Sequence, residues 1–182
     1  MISLIIGEPD SGKSALAEEL ALNGGSPRVC YLATMLVMDE AGERRREKHR
    51  KMREGKGFFT LEIPYRVDRA VSQIEDPGAC TVLLECLSNL VGNEMHEDPE
   101  RKDLWKRDDG SAFTEAILSD LLALADSVAH LIIVTNEYRT DASYDGETQS
   151  YIRLLSMLNR ALIPHAREVR DLRTGTEVRT GC

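Results

Sequence analysis

The chain has 182 residues, a length suited to one domain with its own core, here residues 1–182. Apolar residues make up 42% and charged residues 30%, a balance that points away from disorder and from membrane proteins. A net charge of −8 speaks against general nucleic-acid binding. The first apolar run is too short for a signal peptide or a membrane span, so the expected location is the cytoplasm. Cys30, Cys80, Cys86 and Cys182 form no CxxC pair, and the first three sit in or beside apolar runs. They read as small buried hydrophobes in a reducing compartment, not as a zinc or disulfide framework.

In chain order, a strand over 2–6 leads through a Gly-rich loop into a helix over 13–22. A strand over 29–33 and a basic helix over 39–53 follow, then a weaker strand over 59–63 and a helix over 67–74. The next strand, 81–85, is again apolar on both faces. Residues 96–111 are dense in charge and contain Pro99 and Gly110, which predicts a surface excursion. A helix over 113–125, a strand over 131–135 and a polar loop over 139–147 come next. The helix over 148–166 places Ile152, Leu155, Leu158 and Leu162 on one face. Beyond about residue 170 the tail is polar. Val169, Leu172 and Val178 alternate there as in an edge hairpin turning at Thr174 and Gly175, with too little apolar content for a core strand. Apolar strands alternating with helices predict an α/β fold, P-loop NTPase-like, with a mostly parallel sheet flanked by helices on both faces.

The Gly-rich loop carries the strongest motif. Gly7, Glu8, Pro9, Asp10, Ser11, Gly12, Lys13 and Ser14 match G-x-x-x-x-G-K-[ST] in full, after a strand and into a helix. Glycines let the backbone curl and aim its N–H groups at a phosphate, and the helix N-terminus adds a favourable dipole. Lys13 is expected on the β- and γ-phosphates and Ser14 on Mg²⁺. A second acidic group usually stands at the end of a neighbouring strand. Glu85, closing the run Thr81-Val-Leu-Leu-Glu85, is the candidate metal partner; an ordinary surface Glu is the bland alternative.

Between Arg44 and Arg53 the sequence holds seven basic residues and one Glu. On a helix Arg45, His49 and Arg53 follow at i, i+4 and i+8 and share a face. Neighbouring cations hold an imidazole neutral and nucleophilic, and the guanidiniums can clamp a triphosphate. A solvated basic helix and a nucleic-acid patch are the competing readings of this segment alone. His96, His130 and His165 are expected in structural or solvent-facing roles.

Together these blocks resemble the bifunctional adenosylcobinamide kinase/adenosylcobinamide-phosphate guanylyltransferase family of cobalamin biosynthesis. They run in family order: the GKS loop, Tyr31-Leu-Ala-Thr34, Arg45-x-x-x-His49-x-x-x-Arg53 and Phe58-x-Thr60-x-Glu62. Then come Leu83-Leu-Glu-Cys86, Asn89, Asn93, Val134-Thr-Asn-Glu137 and Leu158-Asn-Arg160. The resemblance implies phosphoryl transfer from GTP or ATP to the aminopropanol hydroxyl of adenosylcobinamide, then GMP transfer from GTP through a guanylylated histidine. His49 and Lys13 would be the catalytic residues. Gly7 to Ser14, Arg45, Arg53 and Glu62 would bind nucleotide, with Ser14 and Glu85 near Mg²⁺. A corrinoid partner and a homotrimer are also implied. The chain departs from the family pattern after Glu137, where a Gly-rich stretch is replaced, and after Val169, where an apolar strand becomes polar. Two alternatives remain open: a P-loop kinase of another small alcohol without guanylyl transfer, and a non-catalytic GTP/ATP-binding protein.

Overall fold

A computed structural model describes residues 1–37, 39–174 and 176–179; the side chains of residues 41, 45, 48, 49, 52 and 176–179 lie outside that description. Six strands run parallel: β1 (Ile2–Gly7), β2 (Arg28–Ala33), β3 (Phe58–Glu62), β4 (Cys80–Glu85), β5 (His130–Asn136) and β6 (Glu168–Asp171). β7 (Thr176–Arg179) returns antiparallel to β6, and the order across the sheet is β3-β2-β4-β5-β1-β6-β7.

Alternation along the central strands sends successive side chains to opposite faces. Leu4, Leu84 and Ile133 point to a large core, which also takes side chains of α3 (Leu87–His96), α4 (Ser111–Ser127) and α5 (Gly146–Leu162). Ile5, Leu83, Ile132 and Val134 point to the other face, against Ala17 and Ala21 of α1 (Lys13–Asn23). Small residues there let α1 lie close on the sheet. The expected doubly covered parallel sheet is therefore the observed one, and its apolar runs are its buried strands.

The local picture adds to or changes several expectations. α3 was not anticipated: its N-cap, Cys86, makes no side-chain cap, and its polar positions mask Leu87, Leu90, Val91 and Met95, all buried. The charged stretch after it is the surface excursion expected, but partners from other elements tie it down. Asp98 is buried and paired with Arg66, Arg101 binds Asp120 at 2.6 and 3.0 Å, and Trp105 donates to the Met95 carbonyl at 3.1 Å. Val67–Gln73 is a 3-10 helix, and α5 ends at Leu162 because Pro164 follows in a short 3-10 turn. In the tail the hairpin forms, but β6 is not its edge. β6 pairs with β1 and buries Val169, while Arg170 and Glu168 satisfy each other at 2.6 Å.

Candidate nucleotide site

The carboxyl ends of β1, β2, β4 and β5 open on one rim of the sheet, where ligands bind in open α/β folds. At the end of β1 the chain curls through Asp10 and Gly12, with φ of 59° and 84°. Left-handed backbone at these positions turns successive N–H groups inward, and Asp and Gly are residues that tolerate it. Lys13 is buried, and its ammonium donates to the Glu8 carbonyl of the same loop at 3.0 Å. The loop thus has its cation folded inside before any phosphate arrives.

Ser14 and Glu85, 71 positions apart in sequence, meet: the Ser14 hydroxyl donates to Glu85 Oε1 at 2.6 Å. The other carboxylate oxygen, Oε2, is buried without a hydrogen-bond partner. Burial holds the Glu85 carboxyl above its usual range, against the Ser14 hydrogen bond and the Lys13 charge. A hydroxyl and a carboxylate with one orphaned oxygen, beside a phosphate loop, form a hard-oxygen donor set that fits Mg²⁺. No group of three or more His, Cys, Asp or Glu suited to a metal exists among the described residues.

The second part of the site is α2 (Glu40–Arg53). A segment this charged folds as a helix because its ends suit the helix dipole. Asp39 caps the Gly42 N–H at 2.6 Å, Glu40 and Glu43 lie in the first turn, and Arg50, Lys51 and Arg53 lie in the last. Arg53 ends the helix by turning in: its guanidinium sits 3.7 Å from the centre of the Tyr31 ring, and its Nε is buried with no partner. A cavity of about 170 Å³ follows, walled by Tyr31, Arg46, Arg53, Glu62, Glu85 and Asn89. Arg46 reaches Glu62 across its outer edge at 3.4 Å. Burial, aided by the Glu85 charge, raises the Tyr31 hydroxyl far above its ordinary pKa, so it stays a neutral wall under a cation.

Of the residues marked in the sequence, Lys13, Ser14 and Glu85 converge, and Arg53 and Glu62 line the adjoining cavity. Glu8, Pro9, Asp10 and Ser11 form the exposed arm of the loop between the buried Gly7 and Lys13. The side chains of Arg45 and His49 lie outside the described residues; their backbone belongs to α2, with position 49 about one turn before Arg53. Tyr31 and Arg46 were not among the expected site residues. Both stood inside motifs already marked, but only the approach of β2 to the end of α2 gives them a role. His130 is structural as expected, buried and hydrogen-bonded to Ser3 at 2.8 Å.

The motif asparagines join strand ends. Asn93 donates to the carbonyls of Thr34 at 2.6 Å and Pro64 at 2.8 Å, tying together the loops after β2 and β3. Thr34 in turn donates to the Cys86 carbonyl and accepts from the Cys86 N–H. Asn159 accepts from Thr135 at 2.8 Å and donates to the Asn136 carbonyl and to Glu137. The rim is fixed by amides that a strand pattern cannot reveal.

The family described as cobinamide kinase / cobinamide phosphate guanyltransferase, CobU, matches residues 3–180. The chain belongs to this family. The bifunctional adenosylcobalamin biosynthesis protein CobU of Escherichia coli (strain K12) is 30% identical over 175 residues, covering 93% of both chains. The bifunctional adenosylcobalamin biosynthesis protein CobP of Pseudomonas aeruginosa is 30% identical over 171 residues, 93% of this chain and 91% of that one. Among solved structures, one ATPase domain has a TM-score of 0.52 at 16% identity, covering 93% of this chain and 68% of that chain. That likeness concerns the fold alone. As a CobU-family member the chain is an enzyme of the cobinamide kinase and guanylyltransferase type.

Proposed function

We propose that this chain performs both reactions of its family, using the phosphate loop for phosphoryl transfer and α2 for guanylyl transfer. The observation that carries the reading is the meeting of Ser14 with Glu85 beside the cavity under Arg53. In the kinase step the loop N–H groups and Lys13 hold the β- and γ-phosphates of GTP or ATP. The acceptor hydroxyl of adenosylcobinamide attacks the γ-phosphorus, its proton is lost, and the bond to the β-phosphate bridging oxygen breaks. Lys13 meets the charge that gathers on that oxygen. Ser14 and Glu85 would hold Mg²⁺, which supplies further charge neutralisation on the phosphate oxygens.

In the second step His49 attacks the α-phosphorus of GTP and pyrophosphate leaves. The phosphate made in the first step then attacks the same phosphorus, and the imidazole is released. Two displacements through nitrogen divide one difficult transfer into two easier ones. Arg53 offers a buried cation one helical turn from His49, and Arg45 stands one turn before it; both suit a triphosphate clamp. A trimer and a cytoplasmic location belong to the same reading. No helix among the described residues is long and apolar enough to cross a membrane.

The test is covalent labelling. Incubation with α-labelled GTP and Mg²⁺, followed by denaturation, is expected to leave an acid-labile, base-stable label on the wild type and none on His49→Ala. A folded, GTP-binding wild type that takes no label removes the histidine step and leaves a plain kinase or a silent binder.

A further inference from the structure

The polar turn after β6 lies beside the phosphate loop. β6 runs parallel to β1 on the side away from β5, with Asp171 in register with Ile6. One residue on, the Leu172 N–H donates to the Ile6 carbonyl at 2.9 Å, so Arg173 emerges next to Gly7, where the loop begins. Leu172 anchors the turn by packing into the core under α1.

Arg173 is held with unusual firmness for a tail residue. Asp171 accepts from its backbone N–H at 3.0 Å, from Nε at 2.9 Å and from Nη2 at 2.6 Å. A planar guanidinium fixed along one edge presents its other edge in a set direction. Nη1, on that other edge, has no hydrogen-bond partner among the described residues. Besides Asp171, the carboxylates of Glu137 and of Glu8 in the phosphate loop act on this guanidinium through space. Arg173 therefore stands on the β6 side of the phosphate loop, next to its start.

The polarity of the site says what lies on that side of the loop. Ser14 and Glu85 mark the metal and γ-phosphate end, and Glu85 stands on β4, two strands from β1 on the β5 side. A triphosphate laid across the loop with that end toward β4 carries its nucleoside the other way, over β6. We propose that Arg173, positioned by Asp171, contacts the base of the nucleotide bound in the phosphate loop and favours guanine. A guanidinium has only donors, and guanine presents two adjacent acceptors, O6 and N7. Adenine places an amino donor where guanine has O6, so the same arginine opposes it. The inference rests on the phosphate-loop reading above and adds a specificity residue to it.

Equilibrium binding with Mg²⁺ of GTP, ATP and inorganic tripolyphosphate to the wild type and Arg173→Ala tests this. The site is a surface turn, and thermal melting checks that the variant is folded. Expected is a loss of roughly tenfold for GTP, about twofold or less for ATP, and no change for tripolyphosphate, which has no base. Asp171→Asn, which frees the guanidinium to swing, is expected to lower the preference for GTP over ATP in the same direction. Equal losses for all three ligands, equal losses for GTP and ATP, or no loss for GTP would each overturn the assignment. Failure of the wild type to bind any of the three would overturn the phosphate-loop reading with it; unchanged tight binding of all three by the variant removes Arg173 alone.

Discussion

The phosphate loop and the basic helix both carry cations on the same rim, yet they are built in opposite ways. Loop residues 7–14 are contiguous, their donors are backbone N–H groups, and Lys13 is buried against Glu8 of the same loop. In α2 the side chains of Arg44 and Lys51 are 73% and 71% exposed, and Arg53 is the one buried cation among the described side chains. Its exposed cations pair with Glu40, Glu43 and Glu47 along the helix, surface contacts that water and salt screen and that add little stability. The loop is preorganised by local backbone. The helix is placed by its last residue, stacked on a tyrosine from a strand 22 positions earlier, and by Arg46 on Glu62.

That difference can be broken or sharpened by experiment. The largest effect is expected at the loop: Lys13→Ala lowers kcat/KM for phosphoryl transfer by about 100-fold or more, read by steady-state kinetics on a protein with an unchanged melt. A smaller loss than that from changes in α2 would reverse the comparison. Next is Arg53→Ala, which removes the stack on Tyr31 and lets the end of α2 drift. The rate of covalent GMP labelling should fall roughly tenfold, and triphosphate affinity should fall less, by about threefold. An equal fall in the two would mean that Arg53 serves binding alone.

The smallest effect concerns the ties behind the rim. Glu94 accepts from the Arg66 N–H at 2.8 Å and lies 3.4 Å from Arg101, which also binds Asp120. Burial, only partly offset by these donors, pushes its carboxyl up to about 7 from a usual 4.5. A raised acid stabilises the fold in its protonated form, so its contribution is complete below about pH 4.5 and fades as pH rises to about 7. Glu94→Gln keeps an acceptor for Arg66 and cannot ionise. The variant's melting temperature, relative to wild type, should therefore climb by a few degrees across that window. A constant difference between the two melting curves would sink this reading of Glu94.

Much of this was legible in the sequence where the physics is local. Strands β1, β4 and β5 are buried on both faces and read as apolar runs; the phosphate loop follows from glycine geometry and a lysine at fixed spacing. Glu85 was marked as a strand-end carboxylate, but its meeting with Ser14 depends on β4 sitting two strands from β1, with β5 between them. α3 escaped because its buried stripe is interleaved with asparagines that serve the rim. The charge of residues 97–107 suggested solvent, whereas Asp98 and Arg101 are consumed by partners from other elements.

By itself, then, the sequence determined the layered parallel sheet, the phosphate loop, the capped basic helix and the family. Those features depend on periodicity, backbone conformation and motifs that neighbouring residues complete. Only the tertiary structure decided that Arg53 lies on Tyr31, that Asn93 and Asn159 lace the strand ends, and that a polar tail brings Arg173 to the loop. Each of these is a contact between segments far apart in the chain, set by strand order and register, which no local pattern encodes.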